Sequence, residues 1–429
     1  MLVESWLARA ARTRPHGAAL RVAAGAVSYV RLDAAADRAA RRLSALGVRP
    51  GDRVALALPA RLELVEALHG CMRLGAVAVP VDLRLTSGER AARGAGCRAV
   101  VDAPLDGEQD DDAPLTSAHD LDAPAIVVHT SGTTAAPRAV ELTYGNWLWS
   151  ALGSAVALGL ERDERWLCTL PLSHVGGLSI LVRSTIYATT AVLHDGFDAP
   201  AVVAALAQGR ATLVSVVPTT LARLLDAGLR DPPALRAALV GGGPIAPALL
   251  ARAAAAGVPA VATYGLTEAC SQVTTGGAAL FCTRLRIDAG GEILVAGPTV
   301  APASAGPGGW LRTGDHRALG DDGDLIVTGR AADTIVTGGE NVAPAEVEAV
   351  LSSHPAVADA AVHGAPDEHW GERIVATIVL RPGATASAAE LTGYCRVRLA
   401  RYKVPKVFRF SLDLPRTQSG KLLRRDLEE

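Results

Sequence analysis

Residues 28–60, SYVRLDAAADRAARRLSALGVRPGDRVALALPA, set the reading of the fold. Within them LDAAADRAARRLSALGV carries apolar residues at helical spacing and stops at Gly47, a residue suited to the left-handed turn that ends a helix. VALALPA follows as a short apolar run, the pattern of a buried strand. A short strand precedes the helix, so strand, helix and strand succeed one another. The same alternation runs to about residue 100 and resumes from AIVVHT (125–130) to about residue 290. Such alternation predicts parallel α/β layers. The stretch 104–122, PLDGEQDDDAPLTSAHDLD, is acidic and without periodicity, which predicts a solvated surface loop.

Further along, GEILVAG, WLRTGD and DLIVTGR read as short strands joined by turns. The composition changes near Arg330. Beyond it APAEVEAVLSSH is a helix with Pro344 near its first turn, ADAAVHG and RIVATIVLRPG are strands, and a further helix covers about 387–399. The expected organisation is an α/β domain over 1–330, built of layered subdomains, and a small α+β domain over 331–429.

The bulk properties exclude several classes. A chain of 429 residues is too long for one ordinary domain. Its formal charge of −2 argues against a broad nucleic-acid-binding face. None of the six cysteines forms a CxxC pair, which fits free thiols in a reducing compartment. The N-terminus, MLVESWLARAARTRP, carries charges where a signal peptide would be apolar. Gly and Pro break the apolar runs below the roughly 18–20 residues that a membrane span needs, so the predicted location is cytoplasmic. Nearly all basic residues are Arg, and the three lysines, Lys403, Lys406 and Lys421, all lie near the C-terminus.

Several segments could carry chemistry. His129-Thr130-Ser131-Gly132-Thr133-Thr134 follows a buried strand, and small hydroxylated residues around a Gly can converge N–H and O–H groups on phosphate oxygens. No GK[ST] follows, so this is not a Walker loop, and a plain Ser/Thr turn is the alternative. Tyr264-Gly265-Leu266-Thr267-Glu268 offers an aromatic face for adenine, a hydroxyl for phosphate and a carboxylate for Mg²⁺, or is an ordinary strand-to-loop turn. Asp315, in RTGD, can accept both hydroxyls of a ribose. Gly338-Gly339-Glu340-Asn341 supplies a loop ahead of the Pro344 helix. Pro415-Arg416-Thr417-Gln418-Ser419-Gly420-Lys421 puts a Lys on a terminal loop, where a solvated tail lysine is the alternative.

In their order and approximate spacing, TSGTT, YGLTE, TGD, GRAADTIVTGGENVAPAEVE, YKVPK and PRTQSGK resemble the adenylate-forming superfamily. That group comprises acyl- and aryl-CoA synthetases, luciferases and peptide-synthetase adenylation domains. The resemblance spans essentially the whole chain. It implies two half-reactions, formation of an acyl-adenylate from ATP and a carboxylic acid and then thioester formation with CoA, with Mg²⁺ as cofactor. It implies that Thr130, Ser131, Gly132, Thr133 and Thr134 cradle phosphates. Thr267 contacts the α-phosphate and Glu268 holds Mg²⁺. Gly241, Gly242 and Gly243 form the adenine slot with Tyr264, and Asp315 and Arg330 grip the ribose. Lys421 bridges the carboxylate and the α-phosphate in the first step. Rotation about a hinge matching Ala332 then brings in Gly338 and Gly339 to line the CoA tunnel. The chain departs from the pattern at Ala332, where the family carries Asp or Lys. It departs again at Ala135 and Ala139 in the phosphate loop, where Gly is usual; Arg138 keeps the usual charge.

PLSHVGGLSILVRS (171–184) and VSVVPT (214–219) resemble the o-succinylbenzoate–CoA ligases of menaquinone synthesis. That acid carries two carboxylates, one to react and one to be held. Arg183 is the candidate to hold it, helped by Ser215, with a surface arginine as the alternative reading. His174 would sit where the acyl pocket meets the CoA tunnel. Other readings are a ligase for another aryl or short acyl acid, an enzyme that loads a carrier protein, and a non-catalytic homologue. The sequence permits a homodimer.

Overall fold

The structure, a computed structural model, describes residues 1–130, 138–319, 325–330, 333–337, 340–367, 370–417 and 422–427; at 317–319, 325–330, 341 and 425 it describes the backbone alone. The expected helix of the opening stretch runs from Tyr29 to Ala45, three residues earlier than its apolar spacing suggests, and Gly47 takes the left-handed φ of 82° just beyond it. It packs on the helix Leu62–Leu74.

Among the described residues, parallel strands Arg53–Leu56, Val77–Pro80 and Ala99–Val101 join Pro124–Thr130 and Arg138–Thr143 in one sheet. A second, nine-stranded sheet has a parallel centre: Thr190–Leu193, Arg165–Cys168, Leu213–Val216, Ala237–Val240 and Ala260–Leu266. The apolar runs of the first four are buried on both faces, as parallel strands require, while Ala260–Leu266 is half-buried throughout. A four-stranded antiparallel sheet holds Arg284–Ile287, Glu292–Ala296, Leu311–Leu319 and Leu325–Arg330. The small C-terminal domain has its own core, with the helices Pro344–Ser352 and Ala388–Arg396 on a sheet centred on Val357–Asp367 and Gly371–Leu380. The protein is therefore mixed α/β, with a large N-terminal and a small C-terminal domain.

The scarce aromatics divide between the core and the surface, where Phe281 and Phe410 lie exposed. Trp6, Tyr29, Trp147 and Trp166 are all buried. The acidic stretch 104–122 is a mostly exposed loop up to residue 117, as expected, and its end is tied into the fold. Ala118–Asp120 pairs with Leu2–Glu4, and Asp110 accepts the Ser44 hydroxyl at 2.6 Å. His119 is buried, stacked on Tyr144 with ring centres 4.2 Å apart and met edge-on by Trp6. The physical reason is that its few apolar side chains and one imidazole reach the core while the carboxylates stay outside. Burial pushes both His119 and neighbouring His69 down to about 4.

Candidate active site

The YGLTE motif forms the end of a hairpin. Ala260–Leu266 pairs antiparallel with Ser271–Thr275, and the 3₁₀ turn Thr267–Ala269 joins them. Gly265 is required by close approach, since a Cβ there would lie 1.8 Å from the Ser271 carbonyl oxygen. The return uses Cys270 at φ 51° and Ser271 at φ 91°, a region costing about 1–3 kcal/mol per residue unless the surroundings fix it. Ser150 does so, its hydroxyl donating to the Cys270 carbonyl at 2.6 Å. The turn presents the Thr267 hydroxyl and the Glu268 carboxylate half-buried, with no hydrogen bond from either side chain to any described residue.

The triple glycine lies beside this hairpin. Gly241 packs flat on the neighbouring strand, where a Cβ would meet the Thr263 hydroxyl at 2.4 Å, and Gly242 takes a φ of 78°. Gly241 thus closes on the strand that carries Tyr264, and a Cβ at Gly243 would meet nothing within 4 Å. The Tyr264 hydroxyl donates to Asp315 at 2.7 Å. Asp315 is 7 % exposed and stands directly opposite Arg330 in the antiparallel pair. The predicted adenine and ribose residues therefore converge on one corner.

Thr130 ends its strand opposite Arg138, its hydroxyl 3.4 Å from the Arg138 carbonyl oxygen. Ser131, Gly132, Thr133, Thr134 and Ala135 lie outside the described residues, as do Ala332, Gly338, Gly339 and Lys421. Both feet of the segment that carries Lys421 are described. Arg416 and Leu422 form a backbone bridge, and the Leu423 N–H donates to the Pro415 carbonyl at 2.9 Å. Arg416 is held by Asp359 at 2.7 and 2.9 Å. Arg424 donates to Glu348 at 2.7 and 2.9 Å, to Asp333 at 3.3 Å and to the Val362 carbonyl at 3.1 Å. Lys403 pairs with Glu346 at 2.7 Å and Lys406 lies 5.2 Å from the Trp370 ring centre, so two of the three lysines engage their own domain.

The acid-side candidates lie on or beside one helix, Val175–Tyr187, whose N-cap is His174. Gly177 lets that helix press against the preceding chain, where a Cβ would be 2.5 Å from the Pro171 carbonyl oxygen. Burial lowers the His174 pKa, and the Asp82 carboxylate opposes that shift. Arg183 lies two and a half turns on, about 13 Å along the axis, so the structure does not bring it to His174.

Arg183 is not a surface arginine. It is 2 % exposed, donates to the Gln272 side-chain oxygen at 2.6 Å and to the Ser150 hydroxyl at 2.9 Å, and lies 5.7 Å from the Trp166 ring centre. Trp166 in turn donates its indole N–H to the Ser215 hydroxyl at 3.0 Å, which links the two predicted acid-pocket residues. Burial pushes the Arg183 pKa below its ordinary value, yet a guanidinium stays charged. No carboxylate pairs with it among the described residues, and its Nε is buried without a partner. Sequence reasoning missed Ser150, Trp166 and Gln272. The only signal for Gln272 was an amide inside a strand of otherwise apolar and small residues.

Among the described residues no three His, Cys, Asp or Glu side chains gather to hold a metal by themselves. The single carboxylate of Glu268 nevertheless suits Mg²⁺, which takes most of its ligands from phosphates and water.

Layers of α/β structure with a small second domain are the architecture of adenylate-forming enzymes. The chain belongs to the AMP-binding enzyme family, whose pattern matches residues 7–303, with the family's C-terminal domain matched at 346–421. It is 38% identical to the 2-succinylbenzoate–CoA ligase of Bacillus subtilis (strain 168), over 100% of this chain and 99% of that one. It is 39% identical to the ligase of the same name from Geobacillus kaustophilus, over 99% and 97%. Its fold matches the o-succinylbenzoate CoA synthetase of Bacillus subtilis solved with the acyl-adenylate intermediate OSB-AMP, at TM-score 0.93 and 37% identity over 100% and 99% of the chains. ATP-bound MatB from Rhodopseudomonas palustris matches at TM-score 0.88 and 26% identity, over 98% and 97%.

Proposed function

We propose that this protein joins o-succinylbenzoate to CoA at the expense of ATP, through an acyl-adenylate. The observation that carries the choice of acid is Arg183, a buried cation that the described chain leaves without a counter-charge. Leaving a buried charge unpaired costs several kcal/mol, so a carboxylate arriving with the substrate is its natural partner. The names of the similar ligases point to the same acid.

In the first step one substrate carboxylate attacks the α-phosphate and pyrophosphate leaves. The need is to offset repulsion between two anions, which preorganised donors meet best. Thr130, Ser131, Gly132, Thr133 and Thr134 would cradle phosphates, and Thr267 and Lys421 would meet the α-phosphate. Glu268 would hold Mg²⁺, which offsets triphosphate charge when bound. In the second step the CoA thiol attacks the acyl carbonyl and AMP departs. Rotation of the domain 331–429 about Ala332 would withdraw Lys421 and bring Gly338 and Gly339 to the CoA tunnel. His174, whose pKa burial lowers, would line the junction of the two pockets. A cytoplasmic site of action and a homodimer belong to this reading.

A panel of carboxylic acids in an ATP–pyrophosphate exchange assay, followed by thioester formation with free CoA, tests it. Exchange with o-succinylbenzoate but not with monocarboxylic aromatic acids is expected. Exchange with a different acid only, or loading of a carrier protein but not CoA, would replace it.

A further inference from the structure

Arg183 is almost completely buried, so a carboxylate can reach its terminal nitrogens only by replacing a group already there. Two groups are there. Ser150 is committed twice, because it accepts from Arg183 and donates to the Cys270 carbonyl that closes the strained return of the YGLTE hairpin. Gln272 is less constrained. Its side-chain oxygen accepts from Arg183 at 2.6 Å, and its amide nitrogen donates to the Thr275 hydroxyl at 2.8 Å. Both bonds are made by one neutral carboxamide at the end of a flexible side chain, only 5 % exposed.

A carboxamide oxygen is the nearest neutral likeness of a carboxylate oxygen. It satisfies an N–H donor but supplies no charge, so an ionised carboxylate outcompetes it for a buried guanidinium. We propose that Gln272 is a specificity-determining stand-in: it occupies, on Arg183, the place that the second carboxylate of a dicarboxylic substrate takes, and yields that place when the acid binds. An acid with one carboxylate has nothing to exchange for Gln272 and gains nothing from Arg183. This inference rests on the reading of Arg183 as an acid-pocket residue.

Two variants move in opposite directions if Gln272 is a stand-in. Gln272→Glu keeps the shape and gives Arg183 a permanent internal counter-charge. The KM for o-succinylbenzoate should rise at least tenfold, and the preference for it over 4-oxo-4-phenylbutanoate, the same skeleton with one carboxylate, should collapse. The KM for ATP is the internal reference, and the thermal midpoint should hold or rise. Gln272→Ala removes the competitor, so the KM for o-succinylbenzoate should stay level or fall. A merely structural glutamine would raise the acid KM in both variants together with a lower thermal midpoint, and that result overturns the proposal. So does an unchanged acid KM in Gln272→Glu. Failure of the unsubstituted protein to exchange pyrophosphate with o-succinylbenzoate would instead overturn the functional reading itself.

Discussion

Arg424 and Arg183 are both arginines lodged in the body of the protein, and the chain treats them oppositely. Arg424 meets two carboxylates, Glu348 and Asp333, and a main-chain carbonyl. Arg183 meets an amide, a hydroxyl and an aromatic face, all neutral. A cation whose counter-charge is built into the chain serves the fold. A cation left short of one is what the proposed acid site needs, a charge that a ligand can complete. In the C-terminal domain Arg416 and Arg424 fasten the two feet of the segment that carries Lys421, each through a carboxylate of the chain itself.

The contrast can be broken in four places. Arg424→Met leaves the half-buried Glu348 without its charged partner and should lower stability by about 1.5–3 kcal/mol, measured by chemical denaturation. Adding Glu348→Gln should recover part of that loss; no recovery would mean that Arg424 acts through packing instead of charge. Lys421→Ala should reduce adenylate formation by about 10²–10³ while sparing thioester formation from a supplied acyl-adenylate. An equal fall in both half-reactions would remove the two-orientation account. Arg183→Met should raise the KM for the acid by about 1.5–3 kcal/mol of lost binding, with the KM for ATP as reference, because a hydrogen bond to a charged group is lost. Its stability should change far less than that of Arg424→Met, since no buried carboxylate is orphaned. A large loss of stability in Arg183→Met would erase the distinction.

The smallest effect concerns pH. His69 and His119 are held near pKa 4, below the value of about 6.5 in an unfolded chain. Between those values the unfolded chain takes up protons that the folded one refuses. Stability is therefore full above about pH 6.5 and declines as the pH falls toward 4, by up to about 1.4 kcal/mol per pH unit for each histidine. His119→Phe keeps the stack on Tyr144 and should flatten that decline in urea titrations at pH 7.5, 5.5 and 4.5. An unaltered slope would show that His119 does not titrate with unfolding.

Much of this was legible in the sequence because it is local. The helix Tyr29–Ala45 follows from apolar spacing closed by Gly47, and Pro344 opens its helix as proline at a first turn should. The nucleotide motifs are short and contiguous, so their order could be read directly. The stretch 104–122 is the surface loop its acidity predicts over most of its length, and only its anchored end was not legible, because the partners of His119, Trp6 and Tyr144, are distant in sequence.

By itself, the sequence determined the α/β layering and the division into a large and a small domain, since periodicity, turn residues and short motifs are properties of neighbours along the chain. Only the tertiary structure decided what Arg183 is. Its burial, its neutral partners Gln272 and Ser150, and its tie to Ser215 through Trp166 join residues from five separate segments. No local pattern encodes whether a buried charge has found its counter-charge, because that depends on every element packed around it.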